Sequence, residues 1–212
     1  AKPEPHVMLA GFRADPDAHR LGTPSGRIEL YSETIAGFGY DDCPPHPAWL
    51  EPAEWLGSPL AAQYPLHLVT NQPRTRLHSQ LDMGRVSQAS KIAGREPVWM
   101  HPADAAARGL REGDVVRLHN ARGACLAGLH VTDLIRPGVV QIATGAWYDP
   151  AEPGNPGSLC KHGNPNALTL DIGSSALAQA PISQTTLVEA TRCDDPPPVT
   201  AMRSPPLTSP PD

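Results

Sequence analysis

Residues 71–80, NQPRTRLHSQ, concentrate groups that hold polar ligands. They comprise the guanidiniums of Arg74 and Arg76, the imidazole of His78, the hydroxyls of Thr75 and Ser79, and the amides of Asn71, Gln72 and Gln80. Guanidinium pairs in a fork with phosphate, while amides and hydroxyls fix the edges of polar rings. A solvated surface loop has the same composition, and the segment alone does not separate the two. A second candidate is Thr144-Gly145-Ala146-Trp147-Tyr148-Asp149-Pro150. Gly145 allows a backbone to approach a ligand closely, and Trp147 and Tyr148 can wall a flat ring, although a turn with core aromatics fits equally. The third is His162-Gly163-Asn164-Pro165-Asn166, a donor-rich turn followed by Asp171. That carboxylate suits either a purine's N–H groups or a cap. Cys160 and His162, even with His78, are too few donors to complete a tetrahedral metal site.

These groups need a frame, and the sequence supplies signals for one. Tyr64 to Thr70 alternates as a strand and empties into the first loop. From Gly94 to Gly123 the boundaries are marked most clearly. Pro97 to Met100 is a β-prone run, and Pro102 and Asp104 suit the first turn of a short alanine helix. Gly109 supplies its left-handed stop, and Glu112-Gly113-Asp114 turns into a strand over Val115–His119. Asn120, Arg122 and Gly123 turn again into a strand from Ala124 to Val131. Further strands are expected over Val139–Ala143 and Thr185–Ala190. Upstream, Arg27 to Tyr31 alternates like a strand with its apolar side inward, and Ser32 can cap a short helix over Glu33 to Ala36. Trp49, Leu50, Trp55 and Leu60 look like anchors for a connecting segment.

Six or seven short strands with irregular polar loops favour a closed barrel over a sandwich. The 26 prolines in 212 residues exclude long helices. A net charge of -5 without a basic patch gives no electrostatic reason to expect nucleic acid. No apolar run reaches membrane-spanning length. The four cysteines are far apart and form no CxxC pair, which suits structural or free thiols. The chain opens on Ala1 with no signal-like segment after it, and is expected to be part of a longer polypeptide. Residues 1–60 read as the end of a preceding domain and a connector, 61–192 as the barrel, and 193–212 as a disordered Pro-rich tail.

Taken together, TNQPRTRLHSQ (70–80), GREPVWMHPADAAARGLREGDVVRLHNARG (94–123), RPGVVQIATGAWYDP (136–150) and HGNPNALTLDIGSS (162–175) resemble the C-terminal domain of the dimethyl sulfoxide reductase family of molybdenum enzymes. The resemblance is nearest to its biotin sulfoxide, dimethyl sulfoxide and trimethylamine N-oxide reductases. TPSGRIELYSETIAGFGYDDCPPHPAWLEPAEWL (23–56) is similar to the segment entering that domain. The resemblance implies a mainly β fold, a double-psi β-barrel with short helices and an irregular N-terminal extension. It implies bis(molybdopterin guanine dinucleotide) with molybdenum as cofactor. Arg76, His78, Ser79 and Gln80 match the family's RLHSQ loop, Asn164 and Asn166 its HGNPN turn, and Gly145 and Trp147 its GAWYDP segment, with Asp171 beyond. The flat, donor-edged rings and pyrophosphate of such a ligand call for these groups.

In the family a serine ligates molybdenum from an earlier domain, so no catalytic or metal-ligating residue is expected here, and Ser25 and Ser79 are not candidates. The implied partners are the parent reductase's remaining catalytic domains and a small S-oxide or N-oxide. The biotin sulfoxide type implies the cytoplasm, and the periplasm is the alternative. A free-standing barrel that binds or interacts without redox chemistry is the competing function, since fold alone does not fix activity. Cofactor binding requires the three donor-rich bends to converge at one end of the barrel.

Overall fold

Alternation along the strands sets the barrel. In β1 (Leu66–Asn71) Leu66, Leu68 and Thr70 point inward, and in β5 (Val139–Ala143) Val140 and Ile142 do so. The same period places Val98 and Met100 of β2 (Pro97–Met100) and Val116 and Leu118 of β3 (Val115–His119) in the core. β4 (Ala124–Val131) is buried on both faces from Ala124 to Leu129. β6 (Thr186–Arg192) closes the ring. The computed structural model describes residues 5–201, in two compact units.

The smaller unit holds residues 5–51 and Ser175–Gln179. It carries α1 (Ala10–Ala14) and α2 (Glu33–Ala36), the latter capped as expected by Ser32 Oγ, which accepts from Ile35 N–H at 3.3 Å. The strand expected over Arg27–Tyr31 does not form. Ile28 and Leu30 are 69% and 76% exposed, and local bonds engage the segment. Thr23 Oγ1 donates to the Arg27 carbonyl at 2.6 Å, and Glu29 Oε1 accepts from Ser25 N–H at 2.8 Å. An alternating pattern without a neighbouring strand has no ladder to join.

The larger unit comprises residues 52–174 and 180–201. Its six strands close in the order β1-β5-β2-β4-β3-β6. β1 with β5 and β2 with β4 run parallel, and the other four neighbour pairs are antiparallel. α3 (Arg85–Ala89) lies in the β1–β2 crossover, and α4 (Pro102–Ala107) ends before Gly109 at φ 63°, as the stop signal requires. No helix among the described residues is long and apolar enough to cross a membrane. All four cysteines are free.

Two expectations about packing change. Trp49 is 75% exposed and Leu50 49%, so neither anchors the connector by burial, whereas Trp55 and Leu60 are half-buried. The polar anchor is Glu54, a buried residue whose carboxylate pairs with both terminal nitrogens of Arg122 and accepts from Leu187 N–H at 2.8 Å. Residues 194–201 are fastened to the barrel rather than loose, with Pro196, Pro197 and Val199 partly buried. Arg95 donates to the Pro197 carbonyl at 2.6 Å, and Thr200 N–H and Oγ1 donate to the Asp149 carboxylate at 2.7 and 2.6 Å. Buried Asp149 and Arg95 need partners, and this segment supplies them. The remainder of the expected tail, 202–212, lies outside the described residues.

Candidate functional site

Strand direction brings the donor-rich bends together. β1 and β5 are parallel neighbours with Asn71 opposite Ala143, so the loops after both leave the same end of the barrel. β2 is antiparallel to β5, which puts its start at that end too, and Glu96 N–H there donates to the His162 carbonyl at 3.1 Å. Three segments distant in sequence therefore meet. His78, Ser79, Thr144, Gly145, Ala146, Trp147, Tyr148, Asn164 and Asn166 line one open cleft of about 600 Å³. A hollow of about 450 Å³ shares Tyr148, Asn164 and Asn166 with it and continues to Arg122, Gly123 and Ser158.

The walls are held by backbone contacts. Trp147 Nε1–H donates to the Ser79 carbonyl at 2.8 Å, and Trp147 N–H to Asp82 Oδ2 at 3.0 Å. Gly145 has φ 86°, and a Cβ there would lie 2.1 Å from the His78 carbonyl oxygen, so the two loops touch where no side chain fits. His78 itself is left-handed at φ 50°, a strained state for a non-glycine residue that surrounding contacts must hold. Asn164 Oδ1 accepts from Asn166 N–H at 2.9 Å, capping the 3₁₀ turn Pro165–Ala167. Thr144 lines the cleft, and its buried Oγ1 makes no hydrogen bond among the described residues.

The proposed contact residues divide by position. His78, Ser79, Gly145, Trp147, Asn164 and Asn166 come together in the cleft. Gln80 is exposed beside it, its N–H donating to the Leu77 carbonyl, and Asp171 is exposed and lines neither hollow. Arg76 lies beneath the rim rather than on it, its side chain fully buried. It donates to the His78 carbonyl at 3.1 Å and the Thr144 carbonyl at 3.0 Å, and pairs with Asp82 and Glu96. Sequence reasoning overlooked Asp82, Lys91 and Glu96. Residues 76–96 carry both signs of charge, but nothing local in that pattern announces burial.

His162 stands behind the wall, fully buried, with Nδ1 3.2 Å from the Trp147 carbonyl. A carbonyl only accepts, so Nδ1 carries the proton. Burial, and then the Lys91 ammonium, depress the imidazole below its ordinary value despite Asp82 nearby. The unfolded chain therefore takes up a proton that the folded one refuses, and stability falls as pH drops below about 6.5. His119, depressed by burial and by Arg117, adds to the same slope. His162→Asn keeps a donor near Nδ1 and is expected to shallow, without abolishing, the decline in thermal midpoint between about pH 7.5 and 5, as read by calorimetry.

Comparison with known proteins gives this cleft its family. Residues 66–187 match the molydopterin dinucleotide binding domain. The chain is 56% identical over 189 residues to trimethylamine-N-oxide reductase 1 of Escherichia coli (strain K12), covering 88% of this chain and 22% of that protein. It is 50% identical over 190 residues to dimethyl sulfoxide/trimethylamine N-oxide reductase of Rhodobacter capsulatus, covering 90% and 23%. With biotin sulfoxide reductase of Cereibacter sphaeroides it shares 55% over 183 residues, covering 86% and 24%. Among solved structures, acetylene hydratase from Pelobacter acetylenicus superposes with a TM-score of 0.66 at 23% identity, covering 84% of this chain and 25% of that one, a likeness of fold. The chain thus spans under a quarter of the length of these reductases. With more than half its length matched, and with the barrel at the centre of the match, the chain belongs to the molydopterin dinucleotide binding domain family.

Proposed function

We propose that this chain is the cofactor-gripping part of a molybdenum reductase for S-oxides or N-oxides, and that its cleft takes bis(molybdopterin guanine dinucleotide). The observation that carries this is the meeting of the three donor-rich bends in one cleft. The donor set fits such a ligand. His78, Ser79 and Asn166 offer polar side chains that enter no hydrogen bond among the described residues, and Gly145 keeps the wall bare. Trp147 and Tyr148 would flank a flat ring, and Asn164 and Asn166 would hold its polar edge. No Arg or Lys lines this cleft, so hydroxyl, amide and imidazole donors meet the pyrophosphate there. Arg122 lines the adjoining hollow but is already paired with Glu54. Gln80 and Asp171 are assigned by the family resemblance alone.

When bound, the cofactor supplies the two-electron centre that takes the oxygen of the oxide. The chain's own share is to orient the pterin nucleotides and close one side of the site against water. The remaining catalytic domains of the parent would supply the metal's protein ligand and the substrate funnel. Compartment goes with the substrate: cytoplasm for a biotin sulfoxide reductase, periplasm for the alternative. No feature of the cleft favours a free-standing barrel without redox chemistry.

The direct experiment is to purify the full-length parent without oxygen and assay what acid treatment releases. Guanine nucleotide and molybdenum are expected in the ratio the bis form requires. The same preparation should reduce trimethylamine N-oxide, dimethyl sulfoxide or biotin sulfoxide with a reduced viologen dye. A folded parent that carries molybdenum but releases no guanine nucleotide would refute the assignment.

A further inference from the structure

Beneath the cleft lies a buried cluster of four charges. The side chains of Arg76 and Asp82 are fully buried, that of Lys91 is 1% exposed and that of Glu96 4%. Asp82 Oδ1 accepts from Lys91 Nζ at 2.7 Å and from Ser87 Oγ at 3.1 Å, and stands 3.3 Å from Arg76 Nε. Lys91 also pairs with Glu96, and Arg76 Nη2 lies 3.1 Å from Glu96 Oε2. Two cations balance two anions. Three bonds run from this cluster to the cleft lining. Arg76 holds the His78 carbonyl and the Thr144 carbonyl, and Asp82 Oδ2 holds Trp147 N–H.

Buried ion pairs are a poor source of stability, because apolar residues of similar size often serve as well. A fully bonded network supplies a single arrangement instead. We propose that Asp82 is a positioning residue of the dinucleotide cleft. Asp82 fixes the wall at Trp147, Lys91 balances its charge, and Arg76 holds the two loop carbonyls. Burial works to raise the Asp82 carboxyl, but Lys91, Trp147 N–H and Arg76 together outweigh it and hold it below the ordinary carboxylate value. The wall is therefore held by an anion at neutral pH. This assignment rests on the proposed cofactor role, and its test separates the two.

Two charge-balanced pairs are compared in the full-length reductase. Asp82→Leu with Lys91→Met removes the acceptor for Trp147 N–H; Asp82→Asn with Lys91→Met keeps one. Both leave Arg76 balanced by Glu96. The readouts are hydrogen exchange over residues 144–148 and guanine nucleotide retained through gel filtration. The Leu pair is expected to exchange about tenfold faster and retain about tenfold less nucleotide, the loss of one bond to a charged group. The Asn pair is expected to stay within about threefold of the parent on both, since a neutral acceptor keeps most of that bond. Should the Leu pair fail to fold, Asp82→Ala with Lys91→Met takes its place. Equal behaviour of the folded pairs, whether both like the parent or both impaired, would overturn the positioning role. A parent without guanine nucleotide would remove the cofactor assignment, while the exchange contrast alone would still decide the positioning role.

Discussion

Gly145→Ala is expected to lower stability by about 2–5 kcal/mol and to strip the cleft of its dinucleotide. Two effects combine. At φ 86° a β-carbon is already unfavourable, by about 1–2 kcal/mol for a left-handed residue. The new carbon would also sit 2.1 Å from the His78 carbonyl oxygen, so one loop must withdraw by more than an ångström. Overpacking of that kind adds about 1–3 kcal/mol. The withdrawn loop carries His78 and Ser79, and the other carries Thr144 and Trp147, so the cleft opens where the proposed dinucleotide would be gripped. Gly109→Ala is the control. Gly109 shares the positive φ, at 63°, but a β-carbon there meets nothing within 4 Å, so only the left-handed cost of about 1–2 kcal/mol should be lost and dinucleotide content kept. Chemical denaturation and assay of released guanine nucleotide separate the two. Equal stability losses at both glycines would mean that the loops do not touch as described.

Much of the barrel was legible because its boundaries are chemical. Pro102, Gly109 and Gly113 mark turns that only certain backbones allow, and β2, α4 and β3 fall between them. β4 was legible as a strand from its apolar run, and β1 from its alternation. Arg27–Tyr31 shows the weakness of the same signal: alternation marks a strand only where a neighbour offers a ladder. Membership of the cleft was legible for His78, Asn164 and Trp147, because loop residues rich in donors at strand ends have few other places to go. What escaped is depth. Arg74 and Arg76 are two residues apart and chemically identical, yet one is exposed and the other has a fully buried side chain. Only the closing of β5 and β2 over the loop decides which, through Thr144, Glu96 and Asp82, and those partners lie up to 68 residues away.

Arg76→Ala should therefore act first on the framework and only through it on the ligand. Removing the guanidinium leaves the buried Asp82 and Glu96 carboxylates with Lys91 as the one cation paired with them. Breaking a buried pair in this way costs about 3–5 kcal/mol, because an uncompensated charge stays behind. With a urea slope of about 2 kcal/mol/M, the midpoint would fall by about 2 M. Arg76→Lys keeps the charge but loses the planar fork that reaches the His78 and Thr144 carbonyls together, so it should recover part of the stability and little of the dinucleotide content. Arg74→Ala changes an exposed side chain with no hydrogen bond among the described residues, and should stay within about 0.5 kcal/mol of the parent. The pattern across these three variants discriminates between two roles for Arg76. A framework residue loses stability in the chain without any ligand present. A direct phosphate contact would leave the ligand-free chain as stable as the parent and lose only bound nucleotide, and that result would move Arg76 from beneath the rim into the grip itself.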